Sequence, residues 1–416
     1  MGRDAWQRIR EIRQADVVLG IPSHRNGRTI GEVVDALVEG TRHYLGDLRV
    51  VLVNADGGSS DNTTRFVRNA DAPANLEKMV TIYNGSAGKG SGVRAILEIA
   101  TALEARACAV FDARVPGITA EWVPALVSPV LGGVDMASGC YRRSAYDTAV
   151  CDNLAYPFLR AVFRTDLRDP LASEFCLSQE MTKDLVMRDV WETDVSRFGI
   201  NIWLTTEALL GDWHVGQVDL GTRQEGSIDP GSLTDYRILH AVGTLFRTLT
   251  IHRRRWVADP AFVSVPFIGE RSPDCLVPCT GCQCQLMAGM REGLVEFGPL
   301  MATILPGDAI RAIQTISRME PDQVTFPAGL WARVVYCFAL AYNKGDGDPD
   351  RVADTFLSVL YGRITAYLNE TQGLSCQQRE QVTLGIVNAF EEARPGFLRQ
   401  WNGYEPWMDT NELRFP

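Results

Sequence analysis

Four short apolar runs alternate with helix-like patterns in the first 112 residues, and this alternation limits the fold more than any other feature of the chain. The runs cover residues 16–22, 49–54, 79–83 and 107–111. Residues 29–41, after the first run, carry apolar side chains at helical spacing. Strands that alternate with helices predict an α/β domain, with a mostly parallel sheet of the Rossmann type and helices on both faces.

Polar or glycine-rich segments follow these predicted strands. Ligands bind parallel sheets at the carboxyl ends of the strands, so the segments after Ile21, Asn54, Tyr83 and Phe111 are expected to share one cleft. Asp112, which directly follows the fourth run, could hold a ribose hydroxyl or a metal there. Its carboxylate could equally cap a loop.

Three further segments could reach the same cleft. Residues 88–92 place glycines around Lys89 at the start of a helix, which suits close approach of a phosphate. Arg142 and Arg143 could clamp a carboxylate or phosphate through forked hydrogen bonds. Glu225 follows another predicted strand. Each segment also has a simpler interpretation. Residues 88–92 could be an ordinary loop that enters a helix, the two arginines could lie on a solvated loop, and Glu225 could lie on a surface turn.

The second part of the chain has a different pattern. Prolines interrupt an irregular stretch after about residue 255, and long amphipathic segments with short links follow, which predicts a helical bundle. The expected domains are therefore 1–255, the α/β domain, and 256–416, the mainly helical C-terminal domain. The predicted helices of the second domain cover residues 287–297, 307–319, 330–342, 349–368 and 376–393.

Composition excludes some classes of protein. The formal net charge of −10 over 416 residues argues against a general electrostatic grip on nucleic acid. The sequence contains no run of the roughly 18 apolar residues that a membrane span needs, and residues 1–13 lack the apolar core of a signal peptide. We therefore expect a cytoplasmic protein with reduced thiols. A homodimer is one option for the assembly, which the sequence leaves open.

Four of the ten cysteines form a cluster. Cys275, Cys279, Cys282 and Cys284 lie within ten residues, and four thiolates can satisfy a tetrahedral zinc ion. The spacing matches no standard zinc finger. Free thiols in a loop are the alternative interpretation.

The order of these motifs resembles that of a known group of enzymes. The group is the retaining GT-A glycosyltransferases of the glucosyl-3-phosphoglycerate and glucosylglycerate synthase type, with mannosylglycerate synthase a more distant relative. The match covers about residues 15–250, and the helical tail is similar to the C-terminal extension of some members. It rests on Gly20-Ile21-Pro22-Ser23, Arg28-Thr29-Ile30-Gly31, the string from Val53 to Asp61, Gly88-Lys89-Gly90, Asp112-Ala113-Arg114, Tyr141-Arg142-Arg143, Trp191-Glu192-Thr193-Asp194, Arg197-Phe198-Gly199-Ile200 and Leu220-Gly221.

The resemblance implies an activity and a division of the site. Such enzymes pass a hexose from a nucleoside-diphosphate sugar to glycerate or 3-phosphoglycerate with retention at the anomeric carbon, and they use Mg²⁺ or Mn²⁺. The leaving diphosphate is thought to assist the attack of the acceptor, so catalysis is mostly positioning and charge stabilisation. By resemblance, the donor side comprises Pro22, Ser23, Asp56, Lys89 and Asp112, and the acceptor side comprises Arg142, Ser173 and Glu174.

The chain departs from the family pattern at the metal site. Arg114 stands where the family has the second aspartate of Asp-x-Asp, Glu225 where it has a metal-binding histidine, and Asn201 where it has an acidic residue. A guanidinium repels a divalent ion at contact distance. We expect no metal at the donor site and a salt bridge between Arg114 and Glu225 in its place, with Arg114, Asn201 and Glu225 as the residues nearest the chemistry.

Two classes of function fit this sequence. One is a retaining hexosyltransferase that acts on a nucleoside-diphosphate sugar and a small acidic acceptor, with Arg114 neutralising the diphosphate in place of a metal. The other is a catalytically impaired GT-A scaffold that binds a nucleotide or metabolite for regulation. Fold alone does not decide between them. The nucleotide-side residues favour ligand binding in both classes, and the absence of an acidic residue at Asn201 favours the second. The sequence narrowly favours the enzyme, with an unusual donor or acceptor.

Overall fold

The computed structural model describes residues 2–223, 236–277, 279 and 283–404. The chain divides into two compact units that interleave along the sequence. The first, here called the α/β unit, comprises the described residues of Met1–Arg142, Arg168–Gly226 and Val265–Ser272. The second, the helical unit, comprises those of Arg143–Leu167, Ser227–Ser264 and Pro273–Pro416.

Two stretches of the predicted first domain thus pack with the helical unit, residues 143–167 and the described part of 227–255. A compact unit in space need not fold independently. The boundary at residue 255 therefore stays a prediction.

The strands of the described residues include those expected from the apolar runs. In chain order they are β1 (Val17–Ser23), β2 (Val50–Asp56), β3 (Leu76–Ile82), β4 (Ala107–Val110), β5 (Met136–Arg142), β6 (Thr165–Asp166), β7 (Phe175–Ser178), β8 (Val215–Thr222), β9 (Val263–Ser264) and β10 (Phe267–Ile268).

The helices fill most of the remaining chain. They are α1 (Arg3–Ile12), α2 (Ile30–Tyr44), α3 (Thr63–Asn69), α4 (Lys89–Ala102), α5 (Trp122–Leu131), α6 (Ala145–Val150), α7 (Tyr156–Phe163), α8 (Gln179–Val186), α9 (Ile200–Leu210), α10 (Tyr236–Ile251), α11 (Arg253–Val257), α12 (Gln283–Ile304), α13 (Gly307–Ser317), α14 (Ala328–Lys344), α15 (Pro349–Glu370) and α16 (Cys376–Gly403). A π-helical turn (Cys151–Ala155) joins α6 to α7, and 3₁₀ turns lie at Asp194–Ser196 and Pro321–Gln323.

One sheet organises the α/β unit. Among the described residues it has eight strands in the order β10-β8-β5-β7-β4-β1-β2-β3. Every neighbouring pair is parallel except those made by β7, which runs antiparallel to both β4 and β5. The predicted α/β class with a mostly parallel sheet is confirmed.

Alternate residues of the central strands supply two hydrophobic layers. Val17, Leu19 and Ile21 of β1 pack in the layer that contains α2 and α5. Val18 of β1 packs in the layer that contains α1, α4, α8 and α9, and so does Val51 of β2. Each such side chain contributes about 1.5–3 kcal/mol when fully buried. Because helices cover both faces of the sheet, the central strands are continuous apolar runs without alternating polar residues. These runs are the pattern from which the sequence predicted the strands.

The helical unit contains the five helices predicted in the second part of the chain, α12 to α16, so the helical C-terminal region is confirmed. Its interior holds a charged side chain, Arg363 of α15, which is 1% exposed. The guanidinium donates from both terminal nitrogens to the carboxylate of Glu370, each at 2.8 Å, and from Nε to Asn153 Oδ1 at 2.7 Å. In the described parts of the chain, no helix has the length and apolar character that crossing a bilayer would require.

Candidate functional site

The candidate site lies where the order of the strands reverses. The chain adds β2 and β3 on one side of β1 and then places β4 on the other side. Ser23 ends β1 and pairs in register with Asp56, which ends β2. Asp112 lies two residues beyond the end of β4. The crevice at such a switch point is where α/β sheets of this kind bind their ligands.

Ser23 and Asp56 belong to one buried hydrogen-bond network. Ser23 Oγ donates to Asp56 Oδ1 at 2.8 Å, and Asn54 Nδ2 donates to Ser23 Oγ at 2.8 Å. The other carboxylate oxygen of Asp56 accepts the backbone N–H of Ser59 at 2.6 Å. The structure therefore brings two predicted donor-side residues together, held rigidly by the turn after β2. Pro22 lies in the same fully buried strand as Ser23, and a Cβ on Gly92 of α4 would lie 2.8 Å from its Cβ.

Asp112 lies between two cations. Lys89 Nζ, at the start of α4, is 3.3 Å from Asp112 Oδ2. Arg114 donates its backbone N–H to Asp112 Oδ1 at 2.9 Å, and its Nε lies 3.5 Å from the same oxygen. Burial raises the pKa of Asp112, but the charges of Lys89, Arg114 and Arg223 outweigh it, so the pKa lies well below its ordinary value. Asp112 is therefore ionised at neutral pH.

A second buried carboxylate, that of Glu174, lies behind Asp112. Glu174 is 0% exposed, and its Oε1 accepts the backbone N–H of Asp112 at 3.1 Å. Its Oε2 accepts a short hydrogen bond from the hydroxyl of Tyr141 and lies 3.1 Å from Arg223 Nη1. Burial and the charge of Glu174 hold the pKa of Tyr141 well above its usual range, so the phenol stays protonated and can donate. These contacts join the end of β4 to the ends of β5 and β8.

Sequence reasoning singled out neither Tyr141 nor Arg223. Tyr141 lay in a motif chosen for Arg142 and Arg143, and Arg223 lies two residues before Glu225. Their contacts with Glu174 span 33 and 49 residues of sequence. No periodicity or spacing signals such a contact. Only the position of the two residues at strand ends, beside residues already chosen, could have suggested it.

The glycines of residues 88–92 allow other parts of this protein to approach α4 closely. A Cβ on Gly90 would lie 1.8 Å from the oxygen of Val195, and one on Gly88 would lie 2.5 Å from Arg197 Cα. A Cβ on Gly92 would lie 2.8 Å from Pro22 Cβ. The missing Cβ atoms thus make room for other parts of the protein, and the predicted phosphate contact of this segment stays a prediction. The glycines dock the segment 195–197 onto α4, which fixes Lys89 beside Asp112.

The two adjacent arginines belong to different units. Arg142 makes a short ion pair with Asp219 of β8, and both side chains are largely buried. Arg143 belongs to the helical unit. The predicted clamp by both arginines and the acceptor-side role of Arg142 stay predictions.

Asn201 and Ser173 lie on neighbouring segments of the α/β unit. Asn201, near the start of α9, donates from Nδ2 to the oxygen of Leu171 at 3.1 Å. Its Oδ1 is buried without a hydrogen-bond partner among the described residues. Ser173 is half-buried, directly before Glu174. The roles predicted for Asn201 near the chemistry and for Ser173 and Glu174 at the acceptor stay predictions.

Two predicted residues, Glu225 and Cys282, lie outside the described residues. The expected ion pair of Arg114 with Glu225 is therefore untested, and the described partner of Arg114 is Asp112. Of the remaining cysteines in the predicted zinc cluster, Cys279 and Cys284 are exposed. Cys275 faces Cys376, which the sequence interpretation did not consider, at an Sγ–Sγ distance of 3.4 Å.

The described residues around Asp112 do not fit a divalent cation. Hard cations take several oxygen ligands, preferably carboxylates. Here each oxygen of Asp112 already faces a cationic side chain, and Arg114 takes the place of a second carboxylate. Among the described parts of the chain, no three His, Cys, Asp or Glu side chains are grouped as a metal would need. The positive charges of Lys89, Arg114 and Arg223 all act on Asp112, and positive charges at a cleft favour an anionic ligand.

Comparison with protein-family models finds no match, and neither does comparison with curated proteins. Solved structures that are similar include glucosyl-3-phosphoglycerate synthase from Mycobacterium tuberculosis in complex with phosphoglyceric acid, at 21% identity and a TM-score of 0.44, over 57% of this chain and 83% of that chain. The same enzyme in complex with Mn²⁺, uridine diphosphate and glucosyl-3-phosphoglycerate matches at 20% identity and a TM-score of 0.43, with the same coverage. A protein described as mycobacterial matches at 20% identity and a TM-score of 0.43, over 58% of this chain and 77% of that chain. At these values the likeness supports no inference about individual residues, and what the site can bind follows from its own chemistry.

Proposed function

We propose that the α/β unit is a GT-A glycosyltransferase that binds a nucleoside-diphosphate sugar and transfers its hexose, with retention, to a small acidic acceptor such as glycerate or 3-phosphoglycerate. The observation that carries the proposal is the position of Asp112 between Lys89 and Arg114 at the switch point of the sheet. A carboxylate there can accept a sugar hydroxyl, while the two cations face a diphosphate.

Charge explains how the reaction would proceed without a metal. As the bond from the anomeric carbon to the diphosphate oxygen breaks, negative charge develops on the leaving group. Lys89 and Arg114 would stabilise that charge, because both side chains are positively charged and can donate hydrogen bonds to the diphosphate. The acceptor oxygen bonds to the anomeric carbon on the same face, and its proton passes to the leaving diphosphate. Arg142 and the loop before β7 are the candidate acceptor contacts.

The first test follows the nucleotide product. The full chain is incubated with a panel of nucleoside-diphosphate sugars and glycerate or 3-phosphoglycerate, with manganese or with EDTA, and release of nucleoside diphosphate is measured. We expect slow release that depends on the acceptor and is equal in manganese and EDTA. Release that requires manganese would contradict the metal-independent site.

Two pairs of variants test the cations. Lys89→Met should weaken nucleoside-diphosphate binding roughly 10- to 100-fold, because a hydrogen bond to a charged group contributes about 1.5–3 kcal/mol. Lys183→Met, at an exposed position on α8, is its control. Arg114→Ala should reduce product release similarly. Arg106→Ala is its control, since Arg106 is exposed at the opposite end of β4. Equal effects in a variant and its control would refute these roles.

One observation favours the second candidate function, a nucleotide-binding protein without transfer. Asn201 stands where the resemblance implies an acidic residue, and its amide donates to the oxygen of Leu171. This position therefore supplies no carboxylate. This candidate predicts that uridine or guanosine diphosphate raises the melting temperature through binding to the native state. It also predicts that no sugar of the panel is turned over.

A further inference from the structure

Two thiols that are distant in sequence lie together in the helical unit. Cys275 and Cys376, which are 101 residues apart, have their sulfurs 3.4 Å from each other. The backbones are joined as well, because Cys376 donates its N–H to the oxygen of Cys275 at 2.8 Å. Gln377 donates its N–H to Asp274 Oδ1, also at 2.8 Å. The segment before α12 is thus held against the first turn of α16.

Positive groups lie on the Cys376 side of this pair. Cys376 is the first residue of α16, where the helix dipole is positive. Arg379, one turn further on, is 6% exposed and places Nη2 3.1 Å from Cys376 Sγ. Both effects favour a thiolate on Cys376. Burial nevertheless raises the pKa of the Cys376 thiol above its usual value. Its reaction should therefore accelerate as the pH rises above neutrality.

We propose that Cys275 and Cys376 are a redox modification site that closes reversibly into a disulfide. A sulfur–sulfur bond is about 2.05 Å long, so the two sulfurs must approach by roughly 1.4 Å. Rotation of the side chains can supply this movement, since the backbones are already adjacent. Both residues are partly exposed, which gives a small oxidant access.

The chemistry needs a small-molecule disulfide, such as oxidised glutathione, as the oxidant. The Cys376 thiolate attacks one sulfur of that disulfide and releases one small thiolate. The Cys275 thiolate then attacks the Cys376 sulfur of the mixed disulfide and releases the second small thiol. Two protein thiols are oxidised, one small disulfide is reduced to two thiols, and two electrons are transferred.

Peptide mapping of the oxidised full chain tests the proposal. After treatment with oxidised glutathione, alkylation and trypsin, we expect peptide 272–291 joined to peptide 364–379, with loss of the joined species after reduction. A variant that combines Cys279→Ser, Cys282→Ser and Cys284→Ser leaves Cys275 as the one thiol of its peptide, and it should still form the cross-link. Cys376→Ser should abolish it. The rate of cross-linking should rise between pH 7 and 9.

The melting temperature gives a second readout that needs no variant. A disulfide that closes a loop of this length constrains the unfolded chain strongly, so oxidation should raise the melting temperature by several degrees. Three results would overturn the proposal: oxidised protein with only mixed disulfides at Cys376, a cross-link from Cys275 to its near neighbours, or stoichiometric zinc that shields both thiols from oxidation.

Discussion

Replacing Glu174 with glutamine should destabilise the protein far more than the loss of one charge at the surface would. Glu174 is fully buried and accepts from Tyr141, from the N–H of Asp112 and from Arg223, which is itself only 6% exposed. Glutamine has nearly the same shape, but it replaces one acceptor oxygen with an NH₂ group that faces donors. Arg223 also loses one buried counter-charge.

The magnitude follows from the geometry of this pair. Breaking a buried ion pair by removing one partner costs about 3–5 kcal/mol, because a charge is left uncompensated. We therefore expect Glu174→Gln to lower the free energy of unfolding by about that amount, measured in urea. The exposed control Glu180→Gln on α8 should change it by no more than about 0.5 kcal/mol.

A double-mutant cycle separates the ion pair from general damage to the core. Adding Arg223→Met to Glu174→Gln removes the guanidinium that lost this partner, so the double variant should be more stable than the sum of the single effects predicts. The coupling should reach about 2 kcal/mol or more. If the two effects add within about 0.5 kcal/mol, or if Glu174→Gln costs under about 1 kcal/mol, the assigned role of this carboxylate is wrong.

Two other substitutions test the neighbouring contacts. Gly90→Ala should lower the free energy of unfolding by about 1–3 kcal/mol, because its Cβ would meet the oxygen of Val195 at 1.8 Å. Gly385→Ala in α16, where the Cβ would meet nothing within 4 Å, should raise that free energy by up to about 1 kcal/mol through helix propensity. If urea unfolding shows the same sign for both variants, the packing argument is wrong. The depressed pKa of Asp112 contributes stability that is present above the ordinary aspartate pKa of about 3.9 and is lost as the pH falls toward the native value. Lys89→Met should raise the pKa of Asp112. The free energy of unfolding measured between pH 3 and 5 should therefore fall less steeply with acid than in the unmodified protein or in the control Lys183→Met. Equal slopes of this free energy against pH would refute the role of Lys89.

The sequence predicted the parts of the fold that depend on local pattern. β1 and β2 are buried on both faces, so their apolar runs were visible without any knowledge of their neighbours. The five helices of the second part were visible because long amphipathic segments have few other interpretations. These features need only the spacing of apolar residues along the chain.

Features that depend on which strands become neighbours were not predictable. The sequence analysis predicted no strand at β7, since four residues buried in the middle of a sheet carry no period that distinguishes them. Its antiparallel insertion between β4 and β5 is what brings Glu174 behind Asp112. The interleaving of the two units likewise depends on long-range packing, and the composition of the connecting segments does not predict it.

The charges around Asp112 set a condition on the ligand of the proposed function. Without a ligand, Asp112 itself neutralises part of the positive charge of Lys89 and Arg114. A diphosphate must therefore compete with this carboxylate for the two cations, whereas in a metal-dependent site it would add to a cation that the carboxylates already hold. Arg114 can follow the ligand because its side chain is 49% exposed, but Lys89, at 10%, is fixed by the packing of α4. Lys89 should thus set the position of the diphosphate, and Arg114 should adapt to it.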